Sequence, residues 1–226
     1  MTGGIAKSEA GGFWMVELKR AGYDAIIIEG KAEKPVYLWI TNGHAVIKDA
    51  SHLWGKEIKE TQEAIRTELD NKRVQVAAIG PAGEHIVRYA CIMTGLIDAC
   101  GRGGLGAVMG SKNLKAIAVR GQNVPAVADP DYVKSLRKIL VADEHPLSYC
   151  GTGGPEMLMH EQDGDLPVRN QQDGLFPAVS QITGVAMKET GIRVRMDGCF
   201  ACNVRCKKVI KFDEPYPCEE DYGGPE

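Results

Sequence analysis

The chain has 226 residues, 44% of them hydrophobic and 25% charged, with a formal net charge of −3. That length supports one or two domains with a sizeable core, and that charge gives no reason to expect a nucleic-acid or membrane-surface partner. The apolar runs are strand-sized, well short of the roughly 20 residues of a membrane helix. The opening Met1-Thr2-Gly3-Gly4-Ile5-Ala6-Lys7 has no apolar signal core, so the expectation is a cytoplasmic protein without a membrane span.

In chain order, Gly11-Gly12 precedes a helix-like segment over 13–20. Ala25-Ile26-Ile27-Ile28-Glu29-Gly30 is a β-branched run stopped by glycine and reads as a buried strand. Residues 36–40 and 45–47 read as two strands joined by the turn Thr41-Asn42-Gly43, a hairpin pattern. Over 57–69, Ile58, Ala64, Ile65 and Leu69 have the spacing of an amphipathic helix. A strand over 74–79 is closed by Gly80-Pro81-Ala82-Gly83, and 86–93 and 116–119 read as further strands. Composition changes near 122. Val124-Pro125 and Asp129-Pro130 mark a connector, with Asp129 as helix cap and Pro130 at the first helical position. Helical spacing follows over 132–141, with two further helix candidates at 155–160 and 182–190. The expected fold is α+β: an N-terminal β-sheet domain with packed helices over 1–124, then a mainly helical segment over 125–226.

Seven cysteines must be explained. An odd number without an export signal argues against a disulfide framework. Four fall within twenty residues at the C-terminal end, three of them in Asp197-Gly198-Cys199-Phe200-Ala201-Cys202-Asn203-Val204-Arg205-Cys206. In this C-x2-C-x3-C spacing, the two-residue gap lets a turn point two thiolates at one centre, and the third comes around as the chain enters a helical turn. Thiolates select zinc or iron–sulfur clusters. A [4Fe–4S] cube takes four ligands. Cys199, Cys202 and Cys206 supply three, and Cys218 is a local candidate for the fourth. Zinc held by three cysteines and a histidine competes, but the nearest upstream histidine is His160 and none follows Cys206. Arg193, Arg195, Arg205, Lys207, Lys208 and Lys211 surround the motif. They would stabilise an anionic reduced cluster, or they form an ordinary solvated face.

A second segment, Gly101-Arg102-Gly103-Gly104-Leu105-Gly106-Ala107-Val108-Met109-Gly110-Ser111-Lys112, is glycine-rich. Glycines let backbone N–H groups approach a phosphate, and Arg102, Lys112 and Lys115 would add charge. The pattern is neither a Walker loop nor a dinucleotide fingerprint, and its strand–loop–helix context is poor. A tight structural turn explains it as well as a ligand loop does. Gly11-Gly12 is a similar hint.

Several segments together resemble the tungsten-containing aldehyde:ferredoxin oxidoreductases. They are Ala10-Gly11-Gly12-Phe13, Glu17-Leu18-Lys19-Arg20-Ala21-Gly22-Tyr23-Asp24-Ala25 and Glu29-Gly30-Lys31-Ala32-Glu33-Lys34-Pro35-Val36-Tyr37. Ile79-Gly80-Pro81-Ala82-Gly83-Glu84, the stretch from Gly101 to Ala116, the cysteine triplet and Gly224-Pro225-Glu226 add to them. Family members are much longer, so the resemblance implies an internal portion. It would lack the start of the N-terminal β domain and the large C-terminal helical part, which holds the fourth cluster cysteine and the acid–base groups.

The resemblance implies tungsten, or molybdenum in some relatives, held by the dithiolenes of two pyranopterins. A nearby [4Fe–4S] cluster passes electrons to ferredoxin. It makes Cys199, Cys202 and Cys206 cluster ligands. Glu9, Ala10, Gly11 and Gly12 become the first pterin-contacting loop, and Asp98, Ala99, Cys100 and Gly101 the second. In the family, backbone carbonyls of these loops bind a magnesium ion that links the pterin phosphates, which assigns Glu9 and Ala99 that role. Both loops depart from the family pattern, which usually has asparagine at Glu9 and arginine at Asp98. A carbonyl ligand survives such changes, whereas an acidic side chain beside a phosphate is unfavourable.

The implied activity is oxidation of a small aldehyde to a carboxylic acid, with a ferredoxin-like acceptor and an oligomeric or larger subunit assembly. No residue here reads as a general base, and the cofactor carries the chemistry. The alternatives are a benzoyl-coenzyme A reductase-like member of the family, a truncated electron-transfer or assembly fragment without catalysis, and a structural zinc module.

Overall fold

The computed structural model describes residues 4–142, 145–213 and 218–222, so Met1 to Gly3 and the segment Gly224-Pro225-Glu226 lie outside it. The chain divides into two units, 1–127 and 128–226. In the first, α1 (Trp14–Arg20), β1 (Val36–Thr41), β2 (His44–Asp49), α2 (Ile58–Glu68) and β3 (Gln75–Ala78) are followed by α3 (Pro81–Glu84), β4 (Ile92–Thr94), β5 (Asp98–Cys100), α4 (Leu105–Ser111) and β6 (Leu114–Arg120). The six strands form one sheet in the order β2-β1-β6-β3-β4-β5. Only β1 and β6 run parallel; the other pairs are antiparallel. The expected hairpin is present, with Thr41 opposite His44 across Asn42-Gly43.

Alternation along β6 divides the core. Ala116 and Ala118 join Tyr37, Val74 and Val76 beneath Ile65 of α2. Leu114, Ile117 and Val119 face the other way, against Leu18 of α1 and Met109 of α4. The central strand is therefore apolar on both faces and reads as a near-continuous run. The fold class is α+β, as expected.

Two expected strands are corrected. Residues 25–30 form no strand, and Ile27 is 86% exposed. Their β-branched composition satisfies strand preference, yet no neighbouring backbone pairs with them. The strand expected over 86–93 begins only at Ile92. Residues 85–89 are turns, because Gly80-Pro81-Ala82-Gly83 opens the short helix α3 rather than closing β3 with a loop. A third correction concerns the glycine-rich segment, whose strand–loop–helix context reads as poor in the sequence but is present, from β5 to α4. Part of its glycine content serves packing. A Cβ on Gly110 would lie 1.9 Å from the carbonyl oxygen of Gly83, so α3 and α4 touch backbone to backbone.

The second unit contains α5 (Pro130–Ala142), α6 (Leu147–Cys150), α7 (Glu156–Asp163) and α8 (Gly184–Glu189), then an antiparallel sheet of β7 (Arg193–Asp197), β8 (Lys207–Phe212) and β9 (Cys218–Tyr222). The Tyr132 N–H donates to Asp129 Oδ1 at 2.9 Å, so Asp129 caps α5 as its position before Pro130 suggested. The three-stranded sheet is an addition to the mainly helical segment expected over 125–226.

Lys115 and Glu84 form an ion pair with side chains 0% and 2% exposed. Lys115 Nζ also donates to the Lys56 carbonyl at 2.8 Å, and Glu84 accepts from the Gly55 N–H at 2.8 Å. The pair ties the 54–57 turn to α3 and β6. Removing one partner strands the other charge, a loss of about 3–5 kcal/mol. Lys115→Met should lower the urea unfolding free energy by roughly that amount; a change below about 1 kcal/mol would contradict this role.

Candidate functional site

The structure brings together the two loops picked out in the sequence. Lys7, Ser8 and Glu9 from the first and Ala99, Gly101 and Arg102 from the second line a cleft of about 560 Å³. The Arg102 N–H donates to Ser8 Oγ at 3.1 Å, and Thr94 Oγ1 reaches the carbonyl oxygens of Gly11 and Asp98, both at 3.4 Å. Ala10 and Gly11 line an adjoining apolar cavity of about 510 Å³ with Trp14, Met15, Thr94 and Cys100. Burial, with a smaller contribution from Cys91, pushes the Cys100 thiol up, so it stands there as a neutral group.

Gly12 is a point of close approach. Its φ is +91°, and a Cβ there would lie 2.7 Å from Asp98 Oδ2. Asp98 is 9% exposed and lies against this backbone rather than in the cleft lining. The concern about an acidic side chain beside a phosphate therefore falls on Glu9 alone. Glu9 is itself paired with Lys7 at 2.6 Å, and Arg102 adds a cation to the lining. The side chains in the lining thus sum to one positive charge.

Each loop is held by a regular element. The second continues from the β4–β5 hairpin, with Thr94 opposite Asp98. The first leads into α1, which is fixed to β6. Trp14 Nε1–H donates to the Ile117 carbonyl at 2.9 Å. Glu17 accepts from Arg120 at 2.6 Å, the Gly121 N–H at 3.0 Å and Arg20 at 3.0 Å. Burial pushes the Glu17 carboxyl up, but the Gly121 N–H and the two arginines outweigh it and hold the group below the usual carboxylate range.

Sequence reasoning had no signal for Ser8, Thr94 or Glu17 as positioning groups, since their partners are distant in the chain. Of the cations expected near the glycine-rich segment, Arg102 alone lines the cleft. Lys112 Nζ donates to the Gly30 carbonyl at 3.0 Å, and Lys115 is committed to Glu84.

In the second unit, Cys199, Cys202 and Cys206 are half-buried cysteines outside any disulfide, on the loop between β7 and β8. The Cys202 N–H donates to the Cys199 carbonyl at 3.2 Å, which closes the expected turn. The helical turn expected after Cys206 is absent, and the chain passes into β8. Among the described residues, no three His, Cys, Asp or Glu side chains are placed to hold a single metal ion. A cube takes each thiolate at a different iron, so its ligands surround a cage rather than converge on a point. Three soft thiol donors on one loop have the donor chemistry that such a cluster takes. The side chain of Cys218, the local candidate for a fourth ligand, lies outside the described residues, and its backbone pairs with Phe212. Arg195 and Arg205 both approach the Asp197 carboxylate, at 3.0 and 3.9 Å, and so act partly within the protein.

The contact between the loops gives a coupling test. Gly12→Ala should destabilise by about 1–3 kcal/mol through backbone strain and contact with Asp98. Adding Asp98→Ala should recover the steric share, so the pair should be non-additive by at least about 0.5 kcal/mol in urea denaturation. Additive effects would mean that the loops do not touch here. For Glu17, whose folded pKa is lowered, the sign follows directly. Its stabilisation is present above the unfolded carboxylate pKa and lost as pH falls through the folded value. Glu17→Gln should therefore flatten the fall in unfolding free energy below about pH 5, and an unchanged acid limb would contradict the assignment.

Residues 1–121 match the family described as aldehyde ferredoxin oxidoreductase, N-terminal domain, and residues 131–226 match its domains 2 and 3. The tungsten-containing aldehyde ferredoxin oxidoreductase of Pyrococcus furiosus is 44% identical across the whole chain, which spans 38% of that relative's length. The protein of the same name in Pyrococcus abyssi is 45% identical over 92% of the chain and 35% of its own length. An aliphatic sulfonate oxidoreductase, WOR-like subunit, of Pyrococcus furiosus is 36% identical over 92% of the chain. Among solved structures, the active-site complex BamBC of benzoyl coenzyme A reductase, with bound 1,5-dienoyl-CoA, is similar with a TM-score of 0.67. It is 39% identical over 93% of this chain and 34% of its own. The chain thus spans little more than a third of the curated relatives it matches. With both parts matched in order, the chain belongs to the aldehyde ferredoxin oxidoreductase family.

Proposed function

We propose that the protein oxidises an aldehyde to a carboxylic acid and passes the electrons to a ferredoxin-like acceptor, with this chain forming the cofactor-holding part. The observation that carries the reading is the meeting of residues 7–9 and 99–102 at one cleft, whose lining joins small residues to a small excess of positive charge. Such a lining suits phosphate groups, which accept from backbone N–H and are drawn to cations. When bound, tungsten or molybdenum on two pyranopterins supplies the two-electron chemistry, and a [4Fe–4S] cluster carries the electrons away singly.

The residues of this chain position those groups. Glu9 and Ala99, which line the cleft from the two loops, would offer their backbone carbonyls to a magnesium ion. Cys199, Cys202 and Cys206 would hold three irons, with the fourth ligand supplied from elsewhere. The assignment of 1–124 as the pterin-binding unit, and of the segment from 125 onward as the start of the cluster-bearing one, belongs to this proposal. No helix among the described residues is long and apolar enough to cross a membrane.

A second reading, reduction of an aromatic coenzyme A thioester, is supported by the similarity to the benzoyl coenzyme A reductase complex. Anaerobically purified full-length protein separates the two. Turnover of acetaldehyde or benzaldehyde with ferredoxin or viologen as acceptor supports aldehyde oxidation. Turnover of benzoyl coenzyme A alone supports the second reading, and inactivity toward both substrates overturns both.

A further inference from the structure

Most of the basic side chains around the cysteine loop are exposed or half-buried, but Lys208, two residues after Cys206, is only 3% exposed. Its ammonium is turned inward and donates to the Thr152 carbonyl at 2.7 Å, in the turn after α6. That turn meets the cysteine loop at Gly151. An ideal Cβ on Gly151 would lie 2.3 Å from the Cys206 carbonyl oxygen and 3.2 Å from Lys208 Nζ. The φ of Gly151 is +72°. One point in space therefore gathers the backbone of the third cysteine, the bare face of a glycine and a buried cation.

We propose that Lys208 is a positioning and potential-setting residue for the cluster held by Cys199, Cys202 and Cys206, a proposal that rests on the cluster reading above. The Lys208–Thr152 hydrogen bond clamps the 151–152 turn onto the Cys206 end of the loop, and Gly151 allows the approach. A positive charge fixed in a water-poor setting acts over a longer distance than one in solvent. It stabilises the reduced, more anionic cluster over the oxidised one and so raises its reduction potential. Arg195 and Arg205 do this less, because they are exposed.

The test uses the full-length protein purified without oxygen, with iron content measured and the cluster potential read by EPR-monitored redox titration. Lys208→Met should keep the cluster and shift its midpoint to a more negative potential. Lys208→Arg, which keeps the charge, should return it close to the wild-type value. Lys211→Met, on the exposed part of the same strand, should leave it unchanged. A wild-type midpoint in Lys208→Met, or an equal shift in Lys208→Arg, overturns the proposal. If Lys208→Met loses its iron, Lys208→Arg decides: iron retained at the wild-type potential supports the role of the charge, and iron lost in both leaves only space-filling. A wild-type protein that binds no cluster overturns the cluster reading, and this proposal with it.

Discussion

Everything proposed for the first unit depends on how closely two stretches of backbone, eighty-odd residues apart, can approach. Gly12 makes the approach possible. With φ at +91° and the Asp98 carboxylate 2.7 Å from where a Cβ would stand, any other residue at Gly12 is strained and must push that carboxylate aside. The cleft between the loops sets the Lys7–Glu9 pair and Arg102 among small residues, which leaves a small excess of positive charge. Neither acidic residue in these loops, Glu9 or Asp98, presents an uncompensated charge to the cleft. One acid is paired with Lys7, and the other is buried away from the cleft.

The loops are mobile elements by nature, so their positions must be imposed by the fold. β6 imposes them. It lies in the middle of the sheet, with apolar residues on both faces. It accepts from Trp14 and, through Arg120 and Gly121, donates to Glu17. α1 has only seven residues. A helix so short has little stability of its own, and these bonds with the Leu18 contact hold it. The second loop is braced from the other side of the sheet by the β4–β5 hairpin. A buried ion pair near this core, Lys115 with Glu84, then fixes the turn at 54–57.

Elements whose pattern is local were legible in the sequence. The Asn42-Gly43 hairpin, the amphipathic helix α2 and the Asp129-Pro130 start of α5 each depend on residues within a turn or two. The failures were non-local. Residues 25–30 have strand composition but no partner strand, and partners are set by topology rather than by composition. Gly106 and Gly110 read as a loop signal because a glycine required for helix contact looks the same in sequence as one required by a phosphate. The C-x2-C-x3-C spacing marked a thiolate site, but it did not reveal that the loop joins two strands or that Lys208 is buried beneath it. The candidate pterin loops were legible only through family resemblance; their meeting at one cleft is visible only in the fold.

The central claim is that the cleft between 7–9 and 99–102 holds the phosphate end of a pterin cofactor. A crystal structure of the anaerobically purified full-length protein tests it directly, with anomalous scattering used to locate tungsten or molybdenum. The account predicts pterin phosphates within hydrogen-bonding distance of this cleft, and a magnesium ion bound by the carbonyls of Glu9 and Ala99. A pterin whose phosphates lie elsewhere, with this cleft filled by protein, would contradict it.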